Sequence, residues 1–257
     1  MVAWPPFCYS GVVTTVDLPG FERFAFTDGG VQKPVYRSGT GPAVVLIHEL
    51  PGMVPECVEL GRRIAAEGYT VYMPLLFGEP MKNYGTSPLL WPCVWKEFSV
   101  LSTKGKSPAA DWLRALARQA FSECGGRGVA AIGMCFTGRF ALSLMMDKEL
   151  IAPVICQPGG GWKDSALGIP DEEWQNAKIR SKSEGIPVLG FRFENDFLCK
   201  AARFDTLKEG LGDRFREVVV PGKKHSVLTL HFKDLSPADQ ARVWGELRGF
   251  LSERLKS

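Results

Sequence analysis

VAAIGMCFTGRF, residues 129–140, decides the fold. It opens as an unbroken apolar run of strand length and closes on Gly133. A methionine and a cysteine follow, and then a stretch with helical period. The pattern predicts a strand over 128–134 and a helix over 136–146. A cysteine at the seam between them stands on a sharp turn. Gly133, two residues before it, and Gly138, three after it, supply the room such a turn needs.

The same alternation continues on both sides. AVVLIHE (43–49) reads as a buried strand. VPECVELGRRIAAEGY (54–69) reads as a helix that Gly68 stops. YTVYMP (69–74) is a strand. SPAADWLRALARQAF (107–121) is a helix with Ser107 as N-cap and Pro108 at its first position. Strands follow at 152–157, 187–193 and 215–220, and SPADQARVWGELRGFLSERL (236–255) is a closing amphipathic helix. Alternating strands and helices predict an α/β class: a mostly parallel sheet covered by helices on both faces. The first 40 residues differ and read as short antiparallel strands, with turns at Pro19-Gly20 and Asp28-Gly29-Gly30. Residues 75–106 carry Pro, Gly, Trp and Ser without a period, and read as an irregular excursion that caps the site. No repeat or linker interrupts the chain, so one domain over 1–257 is expected.

Composition narrows the function. The chain has 257 residues, 45% of them hydrophobic and 23% charged, with a formal net charge of +3. A chain of this length buries a sizeable core without covalent staples. Lys and Arg are interspersed with Asp and Glu, so no nucleic-acid partner is expected. No apolar run approaches the ~20 residues of a membrane span, and the N-terminus has no secretory pattern. The seven cysteines (8, 57, 93, 124, 135, 156, 199) include no C-x-x-C pair. That argues against a zinc knuckle or thioredoxin motif and points to a reduced, cytoplasmic protein.

In doubly covered sheets the working residues sit at the carboxyl ends of the strands. There the sequence places His48 and Glu49, then Cys135, then Glu194, Asn195 and Asp196, and finally His225. Nucleophile, carboxylate and imidazole follow in the order of the α/β-hydrolase triad. The chemistry needs these types: an imidazole takes the thiol's proton, and a carboxylate fixes the tautomer and steadies the imidazolium. A helix start adds N–H groups and partial positive charge for the thiolate and a later oxyanion. On position alone Asp196 competes with Glu194 and Asp205, and His225 with His231. Glu49 also reads as a solvated charge at a strand end, and His48 as a residue that shapes the loop. HELPG (48–52) is not H-E-x-x-H, because position 52 is glycine and Pro51 would break the required helix. GRGVAA (126–131) precedes its strand and is no dinucleotide loop.

GMCFTG (133–138), HELPG (48–52), ENDFLC (194–199) and KHSV (224–227) together resemble the dienelactone hydrolase family of the α/β-hydrolase fold. The resemblance implies that Cys135 is the nucleophile, His225 the base and Asp196 its orienter. Glu49 would contact the resting thiol and move when substrate binds. The backbone N–H groups of Leu50 and Phe136 would form the oxyanion hole. The implied activity is hydrolysis of a small ester or lactone through a thioester. The family's namesake substrate is a carboxylated enol-lactone from the breakdown of chlorinated aromatics. No metal or organic cofactor is implied, and a monomer or homodimer is expected.

Two positions depart from the family pattern. Thr137 replaces the usual glycine two after the cysteine. Thr229 stands where an arginine would hold the substrate carboxylate. Nearby positive charge could come from Arg139, Lys82 or Lys96. Tyr84, Trp91, Trp95 and Phe98 could line a larger, more apolar acyl pocket, with Arg139 beside it. These departures motivate an alternative: a non-catalytic member of the fold that binds a ligand or partner.

Overall fold

The computed structural model describes residues 16–83, 108–159 and 163–256. Ser107, Tyr84, Trp91, Trp95, Lys96, Phe98 and most of the expected cap lie outside these residues. The eight strands are β1 (Glu22–Asp28), β2 (Val31–Ser38), β3 (Ala43–Ile47), β4 (Thr70–Pro74), β5 (Val129–Met134), β6 (Leu150–Cys156), β7 (Val188–Phe193) and β8 (Phe215–Val220). They form one sheet in the order β1-β2-β4-β3-β5-β6-β7-β8. β1 and β2 pair antiparallel, as do β2 and β4, and every other pairing is parallel. The expected fold class is therefore the observed one, with its antiparallel edge at the N-terminal side.

The central strands explain why the sheet needs two coats. In β3, Ala43, Val45 and Ile47 enter one core while Val44 and Leu46 enter the other. β5 splits likewise, with Val129 and Ala131 against Ala130, Ile132 and Met134. Successive side chains point to opposite faces, so a strand apolar throughout is stable only between two layers. The first core is closed by α2 (Pro108–Cys124) and by α4 (Asp171–Ser183) and α5 (Ala201–Leu211), through Leu113, Leu116, Ala177, Phe204 and Leu207. The second is closed by α1 (Pro55–Ala66) and α6 (Pro237–Leu255), through Val58, Ile64, Val243 and Leu247. Truncating one such leucine to alanine costs ~2–5 kcal/mol. Ser236 caps α6 by accepting the Asp239 N–H at 3.1 Å, as its Ser-Pro opening predicts.

Three details differ from the sequence reading. First, β3 ends at Ile47, so His48 and Glu49 sit in the turn beyond the strand. Second, 136–146 is not one helix. A 3₁₀ turn spans Cys135–Thr137, the four-residue α3 spans Phe140–Ser143, and a second 3₁₀ turn spans Leu144–Met146. Arg180 and Asn176 of α4 donate to the carbonyl of Met145, and Arg180 also donates to those of Asp147 and Leu150. These side chains satisfy the carbonyls that a longer helix would have used. The dipole of α3 is correspondingly small. Third, α4 and α5 were not expected. α4 carries Asp171, Glu172 and Glu173 in its first turn and Arg180 and Lys182 in its last, with few apolar residues to set a period.

Candidate active site

Cys135 follows β5 directly and has φ 54°, a left-handed backbone rarely held by a non-glycine residue. Such a conformation costs of order 1–3 kcal/mol and persists only where surroundings enforce it. Here the cysteine carbonyl accepts two N–H groups, from Gly138 and Gly159, each at 3.0 Å. Gly133 is required by close approach, since a Cβ there would lie 2.4 Å from the carbonyl oxygen of Thr137. At Gly138 a Cβ would press on the Cys135 carbonyl at 3.1 Å.

Thr137 is part of this turn. Its hydroxyl accepts the Met134 N–H at 3.1 Å, and its oxygen lies 2.8 Å from the Met134 carbonyl, 3.1 Å from that of His48 and 3.3 Å from that of Ile47. The hydroxyl thus ties the cysteine turn to the end of β3. A glycine there would leave that seam open.

The imidazole arrives from the loop after β8. His225 Nδ1 lies 2.6 Å from Asp196 Oδ2. The carboxylate only accepts, so Nδ1 carries the proton and Nε2 faces the thiol. The other oxygen of Asp196 accepts the N–H groups of Leu198 at 2.9 Å and Cys199 at 3.1 Å, which locks the buried acid. Side-chain atoms of Cys135, His225 and Glu49 lie within 4.8 Å of one another. Burial would lower the imidazole, but the hydrogen bond to Asp196 and the neighbouring thiol outweigh it and raise His225 to about 10. The thiol exerts this pull from the edge of hydrogen-bonding reach, since buried Nε2 has no partner at bonding distance among the described residues. Loose contacts of this kind in a free enzyme tighten in the complex.

Glu49 is fully buried, and burial pushes its carboxyl up. Thr229 and Ser226 donate hydroxyls to it, Ser226 at 2.8 Å, and Gln157 Nε2 donates at 3.3 Å. Thr229 is buried and occupied with Glu49, so it is not a wall of a substrate pocket. Gln157 was not singled out by sequence. It holds φ 32° at the end of β6, and its Oε1 also accepts the Val227 N–H.

The remaining histidines serve as struts. Burial drives His48 down to about 4, so its ring is neutral. Its Nε2 accepts the Leu76 N–H at 3.0 Å and its Nδ1 donates to the Glu49 carbonyl at 3.2 Å. His231, lowered mainly by burial, accepts the Ser226 N–H through Nδ1 at 3.0 Å and so shapes the loop that carries His225. Arg139 does not point a free charge at the thiol. It donates to the Gly168 carbonyl at 2.9 Å and stacks on Phe136, 4.1 Å from the ring centre. Lys82 pairs with Glu79 at 2.6 Å. Leu50 lies three residues beyond the end of β3, and Phe136 two residues beyond the end of the neighbouring β5.

The family model described as the dienelactone hydrolase family matches residues 28–254. No curated protein matches the chain by sequence. Among solved structures, a Klebsiella pneumoniae protein assigned as a dienelactone hydrolase is 20% identical, covers 91% of this chain and 98% of its own, and has a TM-score of 0.66. A dienelactone hydrolase-like promiscuous phosphotriesterase from metagenomic libraries is 18% identical, with coverage of 91% and 98% and a TM-score of 0.65. A cold-adapted esterase from an Arctic intertidal metagenomic library is 16% identical, with coverage of 94% and 97% and a TM-score of 0.65. At such identities the likeness of these structures is one of fold.

Proposed function

The chain belongs to the dienelactone hydrolase family, whose members hydrolyse ester bonds, and on that premise we propose that it cleaves a small ester or lactone with Cys135 as nucleophile. The observation that carries this reading is the 2.6 Å contact of Asp196 with His225, on an imidazole whose other nitrogen faces a strained cysteine turn.

The thiolate of Cys135 attacks the carbonyl carbon, forming a C–S bond as the C=O electrons move to oxygen. The N–H groups of Leu50 and Phe136 receive that oxyanion. His225, protonated by the thiol, returns the proton to the leaving alkoxide as the C–O bond breaks, which leaves a thioester. Water then attacks the thioester with its proton going to His225. Collapse of the second tetrahedral intermediate expels the thiolate and releases the acid. Asp196 stabilises the imidazolium in both halves. No metal or organic cofactor enters these steps. Thr229 and Arg139 are engaged with protein groups, which favours an uncharged acyl group over the namesake's carboxylated one.

The non-catalytic reading gives way to family membership and loses its motive in Thr137, whose hydroxyl closes the cysteine turn. Free thiols at Cys57, Cys124, Cys135, Cys156 and Cys199 fit a reducing cytoplasm. No helix among the described residues is long and apolar enough to cross a membrane.

The test is a panel of charged and uncharged activated esters and enol-lactones on wild type beside Cys135→Ala. Wild type is expected to release acid with an acyl adduct on Cys135 that mass spectrometry detects. Cys135→Ala is expected to fold and to lose both turnover and adduct. Full activity in that variant would end the proposal.

A further inference from the structure

We propose that Cys135, His225 and Glu49 form a binding site for a thiophilic divalent cation, Zn²⁺, whose occupancy reversibly silences the nucleophile. Three donors of different kinds converge: a sulfur, an imidazole nitrogen and a carboxylate oxygen, all within 4.8 Å of one another. Zn–S and Zn–N bonds at tetrahedral angles put ligand atoms ~3.5 Å apart. A contraction of about 1 Å therefore closes the site. Cys135 and His225 both stand on turns rather than inside strands.

The surroundings meet the requirements of a zinc site. His225 Nε2 is buried without a hydrogen-bond partner among the described residues, so a lone pair is ready once its proton leaves. Asp196 holds Nδ1–H from the other side of the ring. That carboxylate–histidine arrangement orients zinc-bound imidazoles and raises their donor strength. Ser226, Thr229 and Gln157 fix Glu49 in the same supporting manner. One thiolate, one carboxylate and one neutral imidazole cancel the charge of Zn²⁺ in a buried place, where an uncompensated ion would be costly. As the three coordinate bonds form, the proton shared by thiol and imidazole passes to solvent, and no electron is transferred. The fourth position stays open to water, but the sulfur lone pair that would attack a carbonyl is engaged. The cation acts as an occupant rather than a cofactor.

The proposal shares residues with the hydrolase reading, so binding is measured without catalysis. Full-length protein, freed of metal by a chelator, is titrated with Zn²⁺ against a chromophoric competitor. One equivalent is expected to bind and to protect Cys135 from alkylation, and chelator should restore the thiol's reactivity. Cys135→Ala is expected to lose the equivalent. Glu49→Gln should weaken it on the order of tenfold or more, as disturbed ligand shells do. Undiminished binding in Cys135→Ala or Glu49→Gln would overturn the site. Should Glu49→Gln fail to fold, Co²⁺ in the wild type decides. A thiolate-to-metal charge-transfer band that disappears on prior alkylation of Cys135 supports the site, and its absence refutes it. Zinc binding by a protein that hydrolyses no ester even when freed of metal would refute the proposed function and leave this site intact.

Discussion

His48 and His225 both stand beyond the carboxyl end of a strand, β3 and β8, and both are withdrawn from water. Their imidazoles are driven in opposite directions. Burial takes His48 down to about 4, and its ring acts as a neutral strut between Leu76 and the Glu49 carbonyl. Burial acts on His225 too, yet Asp196 and the neighbouring thiol carry it up to about 10. The carboxylate at 2.6 Å, together with the thiol, separates a structural ring from one that holds a proton. Burial alone thus does not turn a histidine into a base. A buried anion aimed at the far nitrogen does.

Asp196→Asn attacks that contrast most directly. Without the charge, His225 is expected to titrate well below about 10, since only the thiol is left to oppose burial. The catalytic rate constant should fall by ~10³–10⁴-fold, the scale set by loss of a triad carboxylate. Ester kinetics and NMR titration of the His225 ring check the two halves separately, and an unchanged midpoint would show that the carboxylate is not the cause.

Stability against pH sharpens the contrast. His48 is depressed on folding, so its contribution is complete above pH 6.5 and is lost as pH falls through 6.5 toward 4. The loss is of order 3 kcal/mol. His225 is raised, so its contribution is complete below pH 6.5 and is lost as pH rises through about 10. Urea unfolding at pH 7 and pH 4.5 is expected to show a steeper acid loss in wild type than in His48→Asn. Equal losses would mean that His48 ionises freely in the fold.

Thr137→Val tests the seam between the two loops. It keeps the bulk and removes the hydroxyl, leaving the buried Met134 N–H without its partner. A loss of ~1–3 kcal/mol is expected in thermal or urea unfolding, and a variant as stable as wild type would remove the seam from the account. Ser236→Ala, at the start of α6, is the smallest effect. About 1 kcal/mol of stability should go with the α6 cap, while ester turnover stays at the wild-type rate.

The central strands were legible because they carry their apolar residues in one continuous run, AVVLI and VAAIGM most plainly. α4 was not legible, because it packs through Glu173, Ala177, Arg180 and Ser181, and these follow no apolar stripe. Cys135, Asp196 and His225 could be read from their order at strand ends, and the fold does bring them together. Gln157 and Ser226 could not, because their contacts with Glu49 span 108 and 177 residues. The meaning of Thr229 was hidden for the same reason. At the sequence level it reads as a missing arginine, and in the fold it is a donor to Glu49.

The Glu49 cradle bears on how the protein is made. Ribosomes deliver Glu49 early, but its donors emerge 108, 177 and 180 residues later. A nascent chain that buried Glu49 before then would trap a carboxylate with nothing to hold it, which is costly. A chain truncated before Ser226 would lack both the cradle's hydroxyls and the imidazole.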